Sequence, residues 1–395
     1  MIAVTTQKEP ILVLGSGLFQ APLVDRLSQR GYPVIVVGPS LPPVPVNPLI
    51  KYVSIDLLDH AAITRIAIDH SARVALSTAS EIGAQAAARV NATLGLYGPI
   101  ATYIDWGLDK LLMRQALDDL YLPNIPFCLL TSEDGLRAFE SQQNTKSERL
   151  VVKPRGGWGS RDVCVTENSL ERQKAYAAAV QSSFKKAGAI IESYLEDPEF
   201  GGNAYFVNGD LRFLAITEKS LCNDLRVRSH WYEPQRRYHF EESLKHILST
   251  LASHAGFKAG ILNFDIRCSD FHEPILLDIG FRDGGNGLGL LITTASGKDS
   301  IDISISYALE GTSSLPFNEG HASDAGFSLV CFSRGEHDQV IELLTRKNLL
   351  TRTTILSLTN FAPEQRTPVV CFVTHGEGES LREVYAQAIN LLSVR

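Results

Sequence analysis

Val151-Val152-Lys153-Pro154-Arg155-Gly156-Gly157-Trp158-Gly159-Ser160 is the stretch on which the reading of this chain turns. A lysine ends a predicted strand, and three glycines and a serine follow it within seven residues. The segment thus offers a point charge and a run of accessible backbone N–H groups, which triphosphate oxygens require. In a Walker A loop the lysine follows the glycines, so this is a different device. The alternative is a hairpin tip beside an exposed lysine, and the segment alone does not separate the two.

Downstream, Ile190-Ile191-Glu192-Ser193-Tyr194-Leu195 puts a carboxylate at the end of a second predicted strand, with Glu199 seven residues on. A strand edge can give backbone donors and acceptors to an adenine, and a nearby carboxylate can accept from ribose hydroxyls; taken alone, both glutamates read as surface charges. Asp265 in Asn263-Phe264-Asp265 and Asp278 in Leu277-Asp278 lie thirteen residues apart, on what read as adjacent strands. Two carboxylates brought together across a ladder make a hard-oxygen site for Mg²⁺, although solvent-facing strand acids would look the same. The run Gly280-Phe281-Arg282-Asp283-Gly284-Gly285-Asn286-Gly287 then sets an arginine in a glycine-rich turn, where its fork can clamp a phosphate or an oxyanion. Lys219, Arg226, Arg228, His230, Arg236 and Arg237 concentrate positive charge between these segments. Such a patch suits a small carboxylate or phosphate-bearing substrate, with Lys219 and Arg228 the preferred contacts; a solvated basic loop is the alternative.

Upstream, Ile11–Leu14 reads as a buried strand, Gly15-Ser16-Gly17 as a turn, Leu18–Arg30 as a helix and Val34–Val37 as the next strand. A helix over Ala61–His70, a strand at Val74–Ser77 and a helix over Glu81–Leu94 continue the alternation, which predicts a parallel sheet covered on both faces. The glycine turn invites a dinucleotide site, but Gln20 replaces the third glycine and Gly38-Pro39-Ser40 stands where a ribose-binding acid belongs. A structural turn is the better reading. A helix is expected from near Asp105 to before Pro123. Strands at Leu150–Lys153, Val163–Thr166 and Ala189–Glu192 with a helix over Leu170–Lys185 predict a small α+β lid. Strands are expected through Ala204–Ile279, with a hairpin turn at Asn208-Gly209-Asp210. The tail predicts a strand over Phe327–Phe332, a helix over His337–Lys347, strands at Thr354–Leu358 and Val369–Val373, and a helix over Leu381–Leu392; Gly311–Gly326 is the linker candidate.

The 395 residues allow two to three domains. With 37 basic and 44 acidic side chains the net charge is −7, which leaves no cationic excess for a nucleic-acid backbone. Six cysteines without a C-x-x-C pair read as isolated reduced thiols. No apolar run is long enough for a membrane span or a signal-peptide core, so a soluble cytoplasmic protein is expected, with a homodimer as the default assembly.

Taken in order, these segments resemble the ATP-grasp superfamily of carboxylate–amine ligases. The resemblance implies a Rossmann-like pre-ATP-grasp parallel sheet (1–100), a linking helix (101–126), a small lid subdomain (127–195), a large subdomain with the metal site (196–310) and a small C-terminal α+β subdomain (311–395). Asp109-Lys110-Leu111-Leu112-Met113-Arg114 is similar to the segment carrying the family's first nucleotide lysine. Lys153 with Gly156, Gly157, Gly159 and Ser160 resembles the second lysine and the phosphate loop. Glu192, Ser193, Tyr194 and Leu195 look like the adenine hinge, and Glu199 stands where a ribose-binding glutamate is found. Asp265 and Asp278 match the acids for Mg²⁺, or Mn²⁺ in its place. Arg282 matches the arginine of the Glu-x-Asn-Pro-Arg signature and, with Lys219, would be catalytic, while Arg226, Arg228, Gly285 and Asn286 would contact substrate.

The implied activity activates a carboxylate with ATP as an acyl phosphate and passes the acyl group to an amine, on amino-acid or peptide substrates. A purine-pathway type of ligase using formate or another small carboxylate, and a nucleotide-binding pseudoenzyme acting as an interaction module, are the alternatives. One departure stands out. The chain reads Asp278-Ile279-Gly280-Phe281-Arg282, so the signature asparagine is a glycine; Asp283, Asn286 or water are the candidates to replace its oxygen.

Overall fold

A computed structural model describes residues 8–39, 47–96, 104–142, 149–157, 159–184, 187–269, 273–311, 325–357, 370–376 and 378–393. The first unit is a parallel sheet of β1 (Ile11–Leu14), β2 (Val34–Gly38), β3 (Ile50–Ser54) and β4 (Val74–Leu76) in the order β3-β2-β1-β4. Both central strands are continuous apolar runs because both faces are covered. Ile11 and Val13 pack toward α1 (Ala21–Gln29), whereas Leu12 and Leu14 pack toward α2 (His60–Asp69) and α3 (Glu81–Leu94). Strand β3 escaped the sequence reading, as its half-exposed Ile-Lys-Tyr-Val-Ser lacks the apolar continuity of its neighbours. The expected helix from Leu18 opens as a single 3-10 turn and becomes α-helical at Ala21, with Pro22 in its first turn. Gln20 is buried against the glycine turn and donates to the Thr78 carbonyl at 2.5 Å, so a protein side chain fills the turn.

Next comes α4 (Lys110–Asp119), capped by Asp109, whose Oδ1 accepts from the Leu111 N–H at 3.0 Å. An antiparallel sheet follows in the order β5-β8-β6-β7, built from β5 (Phe127–Leu130), β6 (Leu150–Pro154), β7 (Cys164–Thr166) and β8 (Ala189–Ser193). Helices α5 (Glu133–Gln142) and α6 (Ser169–Ser182) cover one face through Leu136, Phe139, Ala175 and Ala179.

The largest sheet has eight strands in the order β13-β12-β9-β10-β11-β14-β16-β15. These are β9 (Glu199–Val207), β10 (Asp210–Leu221), β11 (Val227–Tyr232), β12 (Gly260–Arg267), β13 (Ile275–Gly280), β14 (Ala325–Cys331), β15 (Thr353–Ser357) and β16 (Val370–Gly376). The predicted turn joins β9 to β10, with Asn208 and Gly209 both at positive φ. Between β11 and β12, where strands were expected, lies α7 (Glu241–His254). Leu244, Ile247, Leu248 and Leu251 recur at helical spacing and are all buried. Helices α8 (Leu288–Ser296), α9 (Ser300–Glu310), α10 (Arg334–Arg346) and α11 (Gly378–Ser393) complete the chain. The C-terminal strands extend the large sheet rather than forming one of their own, since Ser229 of β11 pairs with Leu329 of β14. Residues 312–324 of the linker candidate, Trp158, Lys185, Leu358 and Val369 lie outside the described residues. Among the described residues no helix is long and apolar enough to cross a membrane.

Candidate nucleotide and metal site

The small antiparallel sheet and the edge of the large sheet face each other across a cavity that opens to solvent. Ile125, Val151, Val163 and Leu277 give it apolar walls suited to a flat ring. Lys110, Lys153, Gly157, Gly159, Ser160, Glu192, Ser193, Tyr194, Leu195, Glu199, Asp265 and Asp278 all line it. Gly156, expected in the phosphate loop, is buried outside the cavity lining and bridged to Asp109, and Arg155 donates to the Asp109 carboxylate at 2.7 Å. The end of β6 is thereby tied to the start of α4, which brings both lysines to one place.

Lys153 Nζ lies 2.7 Å from Glu192 Oε2, and Arg114 Nε lies 2.8 Å from Glu192 Oε1. Arg114 also donates to the Leu276 carbonyl at 2.7 Å. All three side chains are buried, so two cations share one carboxylate. Burial alone would raise the Glu192 carboxyl, but Lys153 and Arg114 overcome it and hold the group down to about 2. Burial lowers the Lys153 ammonium to about 8; Glu192 opposes this, while Arg114 and Lys110 add to it. Lys110 reaches the Gly157 carbonyl at 3.2 Å and Asp278 Oδ2 at 3.3 Å.

Asp265 of β12 and Asp278 of β13 are direct cross-strand partners, as their spacing predicted. Lys219 of β10 is bound between Asp265 Oδ1 at 2.8 Å and Glu199 Oε1 at 2.6 Å, and Arg267 reaches Glu199 Oε2 at 3.3 Å. Gly201 makes room for this cluster, because a Cβ there would lie 2.7 Å from Asp265 Oδ1. Burial lowers the Lys219 ammonium, yet Asp265 and Glu199 outweigh it and leave the group above its ordinary value. Burial raises the Asp265 carboxyl, opposed by Lys219 and assisted by Glu199. Hard oxygens side by side, one carboxyl held above its usual range, suit a divalent cation that keeps water and phosphate as its remaining ligands. Among the described residues no group of three or more His, Cys, Asp or Glu converges as a metal site.

A second cavity adjoins the first through Gly159, Ser160, Asp265 and Asp278. Phe19, Val227 and Leu288 form its apolar side, and Glu81, Lys219, Asn263, Arg282, Gly285 and Asn286 also line it. Arg282 forms an ion pair with Glu81, and its Nη1 donates to the Asp283 carbonyl at 2.6 Å. The Asp283 carboxylate, a candidate replacement for the missing asparagine, is buried and accepts from Asn203 at 2.6 Å.

The expected cationic patch is not assembled. Arg228 is engaged by Glu336 at 3.0 Å and by the Val330 carbonyl, and Arg226 pairs with Asp224 at 2.7 Å and stacks on Phe332; neither lines the two cavities. Arg236 pairs with Glu218 at 2.7 Å. Buried His230 is lowered to about 3 by burial and by Lys219, so it is neutral. The β11 strand carries Arg228 to Glu336 of α10 because it joins β14. Sequence reasoning also passed over Glu81, Arg114 and Arg267. Arg114 stands four residues after Lys110 on one helix face, and Arg267 two after Asp265 on one strand face, so spacing was a usable signal for both. No local signal marks Glu81.

Residues 147–287 match the ATP-grasp domain family. No match was found among the curated proteins. Among solved structures, the fold is similar to an L-amino acid ligase from Bacillus licheniformis, with TM-score 0.77, 15% identity and 98% of each chain covered. It is also similar to N5-carboxyaminoimidazole synthetase from Staphylococcus aureus complexed with ADP, with TM-score 0.77, 14% identity, and 96% of this chain and 97% of that one covered. The biotin carboxylase domain of the Hydrogenobacter thermophilus 2-oxoglutarate carboxylase, in complex with MgADP, ADP and bicarbonate, gives TM-score 0.73 at 12% identity, covering 93% and 86%.

Proposed function

We propose that this chain, built around an ATP-grasp domain, is an ATP-dependent ligase that joins a carboxylate to an amine and releases ADP and phosphate. The observation that carries the reading is the meeting, in one cavity, of two buried lysines, a partly buried strand end with apolar walls, and a cross-strand aspartate pair. A carboxylate is a poor electrophile because its leaving group would be oxide. Transfer of the γ-phosphoryl of ATP gives an acyl phosphate, and attack by an amine then expels phosphate.

In this reading the Glu192–Leu195 segment takes the adenine, Glu199 the ribose, and Lys110 and Lys153 the phosphates. Asp265 and Asp278 would hold Mg²⁺ or Mn²⁺, which when bound neutralises charge on the phosphoryl oxygens. Arg282 faces the second cavity and stabilises the oxyanion formed as the amine adds.

The second cavity supports an amino-acid or peptide acceptor. Its charged lining is three acids (Glu81, Asp265, Asp278) to two cations (Lys219, Arg282), each already in an ion pair, and Phe19, Val227 and Leu288 add apolar surface. That combination suits an ammonium group on an apolar side chain better than a phosphate-bearing acceptor. The test is purified protein with ATP, Mg²⁺ and a panel of amino acids. The expected result is amine-dependent release of ADP and phosphate. AMP and pyrophosphate would refute the acyl-phosphate route, and ATP binding without turnover would favour a nucleotide-binding module.

A further inference from the structure

Position 280 ends β13 and is a glycine where the resemblance led to an asparagine. Backbone conformation does not require glycine here, since Gly280 is not among the glycines at positive φ. Space does. A Cβ at this position would lie 2.6 Å from Glu81 Oε1 and 3.2 Å from Glu81 Cδ. A Cβ on Gly107 would likewise lie 3.0 Å from Glu81 Oε2, so two glycines open the volume that one carboxylate fills.

Glu81 is the first residue of α3, set by the Ser80 cap, whose Oγ accepts from the Gly83 N–H at 3.1 Å. From the N-terminal sheet unit it reaches the edge of the large sheet and binds Arg282, with only 9% of its side chain exposed. The guanidinium is then fixed by Glu81 and by the Asp283 carbonyl, with Asn263 Oδ1 3.5 Å from Nη1. Arg282 is thus aimed by a group about two hundred residues away in sequence, and its aim depends on the docking of one sheet unit against another.

We propose that Glu81 is the positioning residue for Arg282, and that its carboxylate takes the place of the side chain position 280 lacks. The role in turnover rests on the ligase reading; the exchange of volume between 81 and 280 does not.

The experiment compares Glu81→Gln, Glu81→Ala, Gly280→Asn and the double variant Glu81→Ala/Gly280→Asn by steady-state kinetics and by urea unfolding. Glu81→Gln keeps the volume and loses the charge. It should leave KM for ATP within about twofold and lower kcat by about tenfold or more. Gly280→Asn should lower the urea midpoint in the wild-type background and be accepted once Glu81 is alanine, so the effects at the two positions are non-additive. Additive midpoints, or wild-type kcat in Glu81→Gln, overturn the inference. If the wild type shows no amine-dependent phosphate release, the ligase reading fails, and the urea cycle alone still decides whether the two positions share one volume.

Discussion

Where Arg114 and Lys153 meet the lone carboxylate of Glu192, the wall of the first cavity is built on two buried cations against one anion. Toward the two aspartates the balance reverses: Glu81, Glu199, Asp265 and Asp278 lie among Lys219, Arg267 and Arg282. The Glu192 wall is buried, and a buried net charge is costly unless a ligand of opposite sign completes it, which suits that end to an anion such as phosphate. At the acidic end the Asp265 and Asp278 side chains stay 32% and 39% exposed, open to a cation. Lys110 joins the two, with its ammonium against Asp278 and its backbone tied to the Arg155 carbonyl. A polyanion reaching from one end to the other meets repulsion at the acidic end, which is the physical need a divalent cation meets there.

The sharpest way to break this contrast is to remove its pivot. Glu192→Ala leaves Arg114 and Lys153 buried without their carboxylate, so it should cost about 3–5 kcal/mol of stability in chemical denaturation. Unchanged stability would mean that the cations are not confined as described. Lys153→Ala and Arg282→Ala come next, as a pair. Lys153→Ala keeps the Arg114–Glu192 pair and the fold, and should weaken ATP binding by roughly ten- to a hundredfold, the value of a charged hydrogen bond of about 1.5–3 kcal/mol. Arg282→Ala should leave ATP affinity near wild type and lower turnover by about 10²–10³-fold. Equal loss of binding and turnover in both variants would erase the distinction between the two ends.

The smallest effect is a pH dependence. The Lys153 ammonium is lowered to about 8 and the Glu192 carboxyl to about 2. Binding of a triphosphate requires the charged lysine, so ATP affinity should be flat near neutrality and fall as pH rises through 8, by up to about tenfold per unit. Titration calorimetry across that range checks it. Lys153→Ala should remove the dependence, and a decline that persists in the variant would point to another group.

Much of the fold was legible because its signals are short. The Ile11–Leu14 and Val34–Val37 runs marked buried parallel strands, and Asn208-Gly209 marked a turn that demands positive φ. Lys153 and Glu192 were found as strand-end charges and Asp265 and Asp278 as acids on adjacent strands, and all four line one cavity. The α7 helix was missed although its apolar spacing was present, because aromatic and β-branched neighbours suggested strands. The Arg226–Arg237 charges were overread, because a one-dimensional count of basic residues omits the acids that fold against them. Glu336, which binds Arg228, lies 108 residues away.

By itself, the sequence determined which local devices exist: a lysine before a glycine run, two acids at matching strand positions, and a glycine in place of an asparagine. These follow from turn chemistry and from periods of two or 3.6 residues, which act over a few positions. Tertiary structure decided which charges share a carboxylate, since Arg114 and Glu192 are 78 residues apart and Lys110 and Asp278 are 168 apart. It also decided why residue 280 has no side chain. The reason is burial, which sets the energy of each charge by the groups packed around it, whatever their distance along the chain.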